Sequence, residues 1–290
     1  MTIDSTLRTV LLGTAALGFV SGCLGTFAVL RRQSLLGDTV SHSALPGVVL
    51  AFLLAGKVPL FLLLGAALSG WLAMLAVNAI AQNSRIPFDS ALAGMLASFF
   101  GLGLVLVKSV SGSAGLDRYI FGQAATMLPR DIWVIVGLGG VALLVLVLCW
   151  KEFKLLSFDR DFAAGLGWPL RRLEILLTAL LVVAVVIGLE CVGVVLMSAL
   201  LVAPAAAARQ WTNRLGTMTL LAGLFGALSG VVGSFLSHVL SDPVRKLTVP
   251  TGPTIVLCAT TLVVVSFIWR ACAPKFHQST RTFVVSVWGS

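Results

Sequence analysis

The sequence has 290 residues, 58% hydrophobic and only 11% charged, with a mean hydropathy of +1.05 and a net charge of +9. A water-soluble domain carries about 25% charged residues, so this composition excludes a water-facing globular protein and points to a bilayer as the solvent. The positive balance fits the accumulation of Lys and Arg in cytoplasmic loops; no basic stretch is interleaved with aromatics, so nucleic acid is not an expected partner.

A helix needs about 20 apolar residues to cross the hydrocarbon layer. Nine runs meet that length: 7–30, 34–56, 58–80, 90–110, 131–150, 170–189, 191–209, 215–238 and 252–270. The expected fold class is all-α, a polytopic transmembrane helix bundle of about nine spans. Eight to ten are allowed, because the second and third runs are split only by Gly56-Lys57-Val58-Pro59 and the sixth and seventh only by Glu190. All 290 residues read as one transmembrane domain, with a loop at 151–169 and a short tail at 271–290.

In the first run, Val20-Ser21-Gly22-Cys23 resembles a lipoprotein cleavage box, but the apolar stretch continues through Leu30, so the segment is read as a span. Cys23, Cys149, Cys191, Cys258 and Cys272 are scattered and form no CxxC pair, which indicates neither a disulfide framework nor a thiolate metal site. With the N-terminus outside and nine spans, thirteen Lys and Arg fall inside and seven outside, and the 151–169 loop is cytoplasmic. Small-residue patterns at Gly65-Ala66-Ala67-Leu68-Ser69-Gly70 and Gly226-Ala227-Leu228-Ser229-Gly230 are expected to bring helices close together.

The second run opens with Arg31-Arg32-Gln33-Ser34-Leu35-Leu36-Gly37-Asp38 and continues through Ser41-His42-Ser43-Ala44-Leu45-Pro46-Gly47. Ionisable residues inside an apolar span are costly and point to function. Asp38 and His42 are four residues apart, which on a helix places them on one face, one turn apart. A carboxylate and an imidazole make a partial metal site suited to Mn, Fe or Zn rather than Cu(I). The other ligands would come from water, other helices or a second copy of the same helix. The same two residues would alternatively hydrogen-bond each other or cap the helix. Pro46 and Gly47 lie in the middle of the span and serve either as a packing kink or as a hinge or gate beside the site.

In the 151–169 loop, Ser157 or Asp159 is expected to cap a short helix running through Phe162 and Ala163. Gly165 or Gly167 would end it, and Pro169 would start the next span. Its mixture of aromatics and charges suits docking to a partner protein, the alternative being a helix lying on the membrane. His238 and Asp242 are candidates for an outer vestibule, His277 reads as solvated, Glu190 as a turn residue and Pro204 as a kink. No GxxxxGK[ST] loop occurs, so the chain holds no phosphate cradle of its own; HExxH and GxSxG are also missing.

These residues resemble the permeases of manganese, zinc and iron ABC importers. The resemblance rests on the 31–47 run and on four further segments in order: Tyr119-Ile120-Phe121-Gly122-Gln123; Ser157-Phe158-Asp159 with Phe162-Ala163 and Gly165-Leu166-Gly167; Val192-Gly193-Val194-Val195-Leu196 through Leu200-Leu201-Val202-Ala203-Pro204-Ala205-Ala206; and Pro250-Thr251-Gly252-Pro253-Thr254-Ile255-Val256-Leu257. It implies two permeases, identical or paralogous, two ABC ATPases and an extracytoplasmic metal-binding protein in the bacterial inner membrane. It implies that Asp38 and His42 match the pathway's metal-coordinating pair, and that Ser157, Phe158, Asp159, Phe162, Ala163, Gly165 and Gly167 belong to the loop that couples to the ATPase. No permanently bound cofactor is implied: Mn, Zn or Fe is the cargo, and ATP binds the partner subunit. The stretch from Ser241 to Val249 is longer than the family pattern. The competing functional classes are a gradient-driven cation transporter or channel using Asp38 and His42 as a relay, and an intramembrane enzyme with His42 or His238 as base.

Overall fold

The computed structural model describes residues 5–56, 58–108, 127–241 and 249–272. Among them the chain forms eleven helices and no strand: α1 (Ser5–Leu30), α2 (Leu36–Ala55), α3 (Pro59–Asn83), α4 (Phe88–Lys108), α5 (Pro129–Leu148), α6 (Trp150–Phe158), α7 (Arg160–Gly165), α8 (Leu170–Val192), α9 (Val194–Trp211), α10 (Leu215–Leu240) and α11 (Thr251–Cys272). Eight are long and apolar enough to cross a membrane. The remaining long helix, α9, has 18 residues and packs against α1, α2, α10 and α11. The boundary between the sixth and seventh runs falls at Gly193 rather than Glu190: Gly193 adopts φ 89°, a left-handed conformation that costs glycine little, and it separates α8 from α9. Tyr119 to Gln123, Asp242 and His277 lie outside the described residues.

Lipid offers no hydrophobic drive for one helix to prefer another, so close packing decides which helices meet. Both small-residue patterns act this way. A Cβ added at Gly226 would strike the Gly18 carbonyl, and one at Gly230 the Thr14 carbonyl, so α10 lies directly on α1. The matching surface on α1 is a Gly18-x3-Gly22 pair, which the sequence reading passed over; Gly22 meets the Ala222 carbonyl. The Thr14 hydroxyl adds polar contacts to the Gly230 carbonyl at 3.2 Å and the Ser234 hydroxyl at 3.1 Å. Gly47 and Gly65 make the equivalent contact between α2 and α3, each too close to the other's carbonyl to admit a Cβ. There the Ser69 hydroxyl donates to the Ser43 carbonyl at 2.6 Å.

The turn from α1 to α2 is a two-bond helix stop. Gln33 N donates to Ala28 O at 2.9 Å and Arg32 N to Val29 O at 3.1 Å, with Arg32 at φ 57°. Glycine usually fills that position, and a side chain there costs roughly 1 kcal/mol. The end of α1 is fixed from below by α6: Phe27 is fully buried with its ring edge-on to Trp150 at 5.8 Å and near Phe153 at 6.1 Å.

Replacing Gly226 with Val is expected to destabilise the protein by at least about 1–3 kcal/mol, because backbone rather than a flexible side chain opposes it. Gly94→Ala, where a Cβ meets nothing within 4 Å, is expected to leave stability unchanged or raised by about 0.5–1 kcal/mol. Thermal unfolding of the two variants in detergent checks this contrast.

Candidate functional site

Asp38 lies in the first turn of α2 and His42 one turn later. A carboxylate there is favoured by the positive end of the helix dipole. Both residues are half-buried, while the rest of the helix from Leu36 to Val49 is almost wholly enclosed by neighbours. The His42 ring stands edge-on to Phe100 of α4, with centroids 4.7 Å apart. His42 Nδ1 is buried and has no hydrogen-bond partner among the described residues, and the same holds for Ser41 Oγ and Ser43 Oγ. Asp38 and His42 therefore do not satisfy each other through that nitrogen. A polar atom buried without a partner costs on the order of 1–3 kcal/mol, and such an atom in a span is a ready ligand.

Pro46 falls one further turn along the same stripe, inside an unbroken helix. It has no amide hydrogen, so the His42 carbonyl loses its usual donor four residues on. A backbone oxygen thus joins the carboxylate and the imidazole within two turns. No cluster of three His, Cys, Asp or Glu occurs among the described residues, so two side chains of one chain leave most of a coordination shell to other donors.

α2 is held on several sides at this level. Gly37 abuts Ser198 of α9, where an added Cβ would sit 3.0 Å from the Ser198 Cα. The Thr39 hydroxyl donates to Leu35 O at 3.0 Å and lies 3.4 Å from Leu92 O of α4. Gly47, read from sequence as a hinge or gate with Pro46, sits in the close contact with Gly65, so any bend at this point is braced by α3.

The loop expected to carry one short helix carries two, α6 and α7. Ser157 is not a cap: it lies inside α6 and its hydroxyl donates to Phe153 O at 2.7 Å. Asp159 is the cap, its Oδ1 accepting from Phe162 N at 2.9 Å. Gly165 is the last residue of α7, and Gly167, at φ 76°, turns the chain towards Pro169 and α8. Phe153, Leu156 and Ala163 are buried and anchor the pair of helices. Phe158, Phe162 and Leu166 are more than half exposed and face away from the bundle.

Sequence reasoning missed a second polar centre. Glu174, near the start of α8, is 5% exposed. Its Oε1 accepts from Arg31 Nη2 at 3.3 Å and from Arg160 Nη2 at 3.1 Å, and Gln82 Nε2 lies 3.4 Å from its Oε2. Burial lowers the Arg31 pKa, Glu174 opposes that shift, and the charge of Arg160 adds to it. The signal was present, since Glu174 is an ionisable residue inside the 170–189 run, but its arginines lie 143 and 14 residues away and no spacing rule joins them.

The sequence matches the ABC 3 transport family over residues 3–270. It is 51% identical to the zinc transport system membrane protein TroC of Treponema pallidum, covering 98% of this chain and 95% of that protein. It is 47% identical to the manganese transport system membrane protein MntC of Bacillus subtilis over 92% of this chain, spanning 60% of the length of that longer protein. Among solved structures, PsaBC from Streptococcus pneumoniae in complex with Fab superposes with a TM-score of 0.80 at 32% identity, covering 91% of each chain. This chain belongs to the ABC 3 transport family.

Proposed function

We propose that this chain is the membrane permease of an ATP-driven importer of divalent transition metals, and that Asp38 and His42 hold the ion in transit. The observation that carries the reading is the unpartnered, buried Nδ1 of His42, one helical turn from a half-buried carboxylate, in a chain whose relatives bear the names of zinc and manganese transport proteins. An ion leaving water needs its hydration replaced, and a carboxylate with an imidazole suits Mn, Zn and Fe alike. The shell is completed by water, by the His42 carbonyl freed by Pro46, or by the same stripe of a second permease copy. Pro46 and Gly47 serve as the gate, with α3 moving alongside α2 because of the contact at Gly65.

Energy comes from a separate ABC ATPase, since the sequence has no phosphate-cradling loop. The exposed Phe158, Phe162 and Leu166, on helices anchored by Phe153 and Ala163, supply an apolar surface for that subunit. An extracytoplasmic metal-binding protein delivers the ion, and the complex sits in the bacterial inner membrane with the α6–α7 loop in the cytoplasm.

Asp38→Asn and His42→Ala are each expected to lower metal uptake by about 10–100-fold while the protein remains in the membrane at wild-type abundance; radioactive metal uptake normalised to abundance is the measurement, and normal uptake by both variants would remove the pair from the pathway. Phe162→Asp is expected to abolish co-purification of the ATPase subunit, because it places a charge on the apolar contact surface. Retention of the ATPase by that variant would assign the contact elsewhere.

A further inference from the structure

The Glu174 centre joins three parts of the chain that are distant in sequence. Arg160 is the first residue of α7, immediately after the capping Asp159, on the loop that presents the exposed Phe162 and Leu166. Glu174 belongs to α8, a long spanning helix. Arg31 closes α1 at the strained turn where Arg32 takes φ 57°, five residues before α2 begins and seven before Asp38. Both arginines bind the same oxygen, Glu174 Oε1.

We infer that Arg160, Glu174 and Arg31 form an ionic junction that carries movement of the α6–α7 loop to the metal-bearing helix α2, an inference that rests on the permease reading above. These residues are positioning groups and do not touch the ion. The two ionic contacts are unequal. Arg31 has 14% of its side chain exposed and Arg160 has 57%, so Arg160 recovers its hydration on release whereas Arg31 cannot leave without stranding a buried charge. The junction therefore opens on the loop side. With Arg160 engaged, one buried carboxylate faces two cations and its hold on Arg31 is shared. With Arg160 withdrawn by a partner pulling on α7, Glu174 and Arg31 form a neutral one-to-one pair. The α1–α2 turn feels that change directly, because Arg31 is its first residue after α1 and Arg32 beside it stores the strain of a left-handed backbone at a residue with a side chain. A pocket bordered by Asn78, Gln82 and Arg171 lies next to Glu174, so the carboxylate has open space beside it.

The test uses the whole complex, permease with ATPase and binding protein, reconstituted in liposomes, with metal uptake and ATP hydrolysis measured on the same preparation. Arg160→Gln changes an exposed residue and leaves the buried Arg31–Glu174 pair intact, so it preserves folding; Glu174→Gln removes the hub. Both are expected to keep ATP hydrolysis within about twofold of wild type while the metal moved per ATP falls by about tenfold, within the usual range of coupling between sites. Arg160→Lys is expected to restore at least about half of that ratio, since it keeps the charge. A wild-type ratio of metal to ATP in Arg160→Gln and Glu174→Gln would overturn the junction, as would a proportional fall in uptake, hydrolysis and assembled complex, which marks a purely structural role. Asp38→Asn is run alongside: if it transports normally while the junction variants are uncoupled, the metal-path assignment fails and the junction stands. If the wild-type complex moves no metal with ATP, both fail.

Discussion

Inside a hydrocarbon layer the backbone has no water to bond, so the spanning segments of this chain are helices that close most of their hydrogen bonds internally, and close packing decides how they meet. Glycine sets the closest approaches. Gly18 and Gly22 of α1 receive the Gly226 and Ala222 backbone of α10, and Gly47 of α2 receives Gly65 of α3. Hydroxyls seal these contacts by donating to carbonyls across the interface or within the preceding turn, as Ser69 does to Ser43 and Thr39 to Leu35. Against this background, polar atoms left over are conspicuous. His42 Nδ1 is one, and it lies on the same stripe as Asp38 and as the carbonyl that Pro46 releases.

α2 is where these constraints converge. Its first turn abuts α9 at Gly37, its middle touches α4 through Thr39, His42 and Leu45, and its second half is clamped to α3 at Gly47. A helix braced this way moves as a body, and the Arg31-Arg32 turn leads into its N-terminal end. That turn is also where the buried Glu174 takes hold. On the proposed function, the Asp38–His42 stripe and the ionic centre act as two ends of one mechanical element, the first facing the cargo and the second facing the loop that presents Phe158, Phe162 and Leu166.

Much of this was legible in the sequence. The nine apolar runs correspond to nine long helices among the described residues, eight of them long and apolar enough to cross a membrane, because hydropathy in a bilayer is read from composition. The Asp38–His42 stripe followed from a spacing of four, and the Gly65 and Gly226 patterns from small residues at helical intervals. Three things were not legible. Whether Ser157 or Asp159 capped the loop helix depended on where the preceding helix ended, and α6 extends through Phe158, which takes Ser157 into a helix interior. The division at Gly193 was hidden because a charged Glu190 looked like the more natural turn, whereas the helix carries Glu190 and needs glycine only where φ turns positive. The Glu174 centre depends on three residues brought together by tertiary packing, with Arg160 and Arg31 lying 14 and 143 residues from Glu174 in the chain.

On the proposed function, the stripe on α2 carries a metal ion whose movement is driven by ATP hydrolysed on another subunit. The most direct test is metal uptake into sealed liposomes holding the complex, supplied in turn with ATP alone and with an imposed proton or sodium gradient alone. Uptake of Mn, Zn or Fe is expected with ATP and none with either gradient. Uptake driven by a gradient in the absence of ATP would contradict it and make Asp38 and His42 the relay of a secondary transporter.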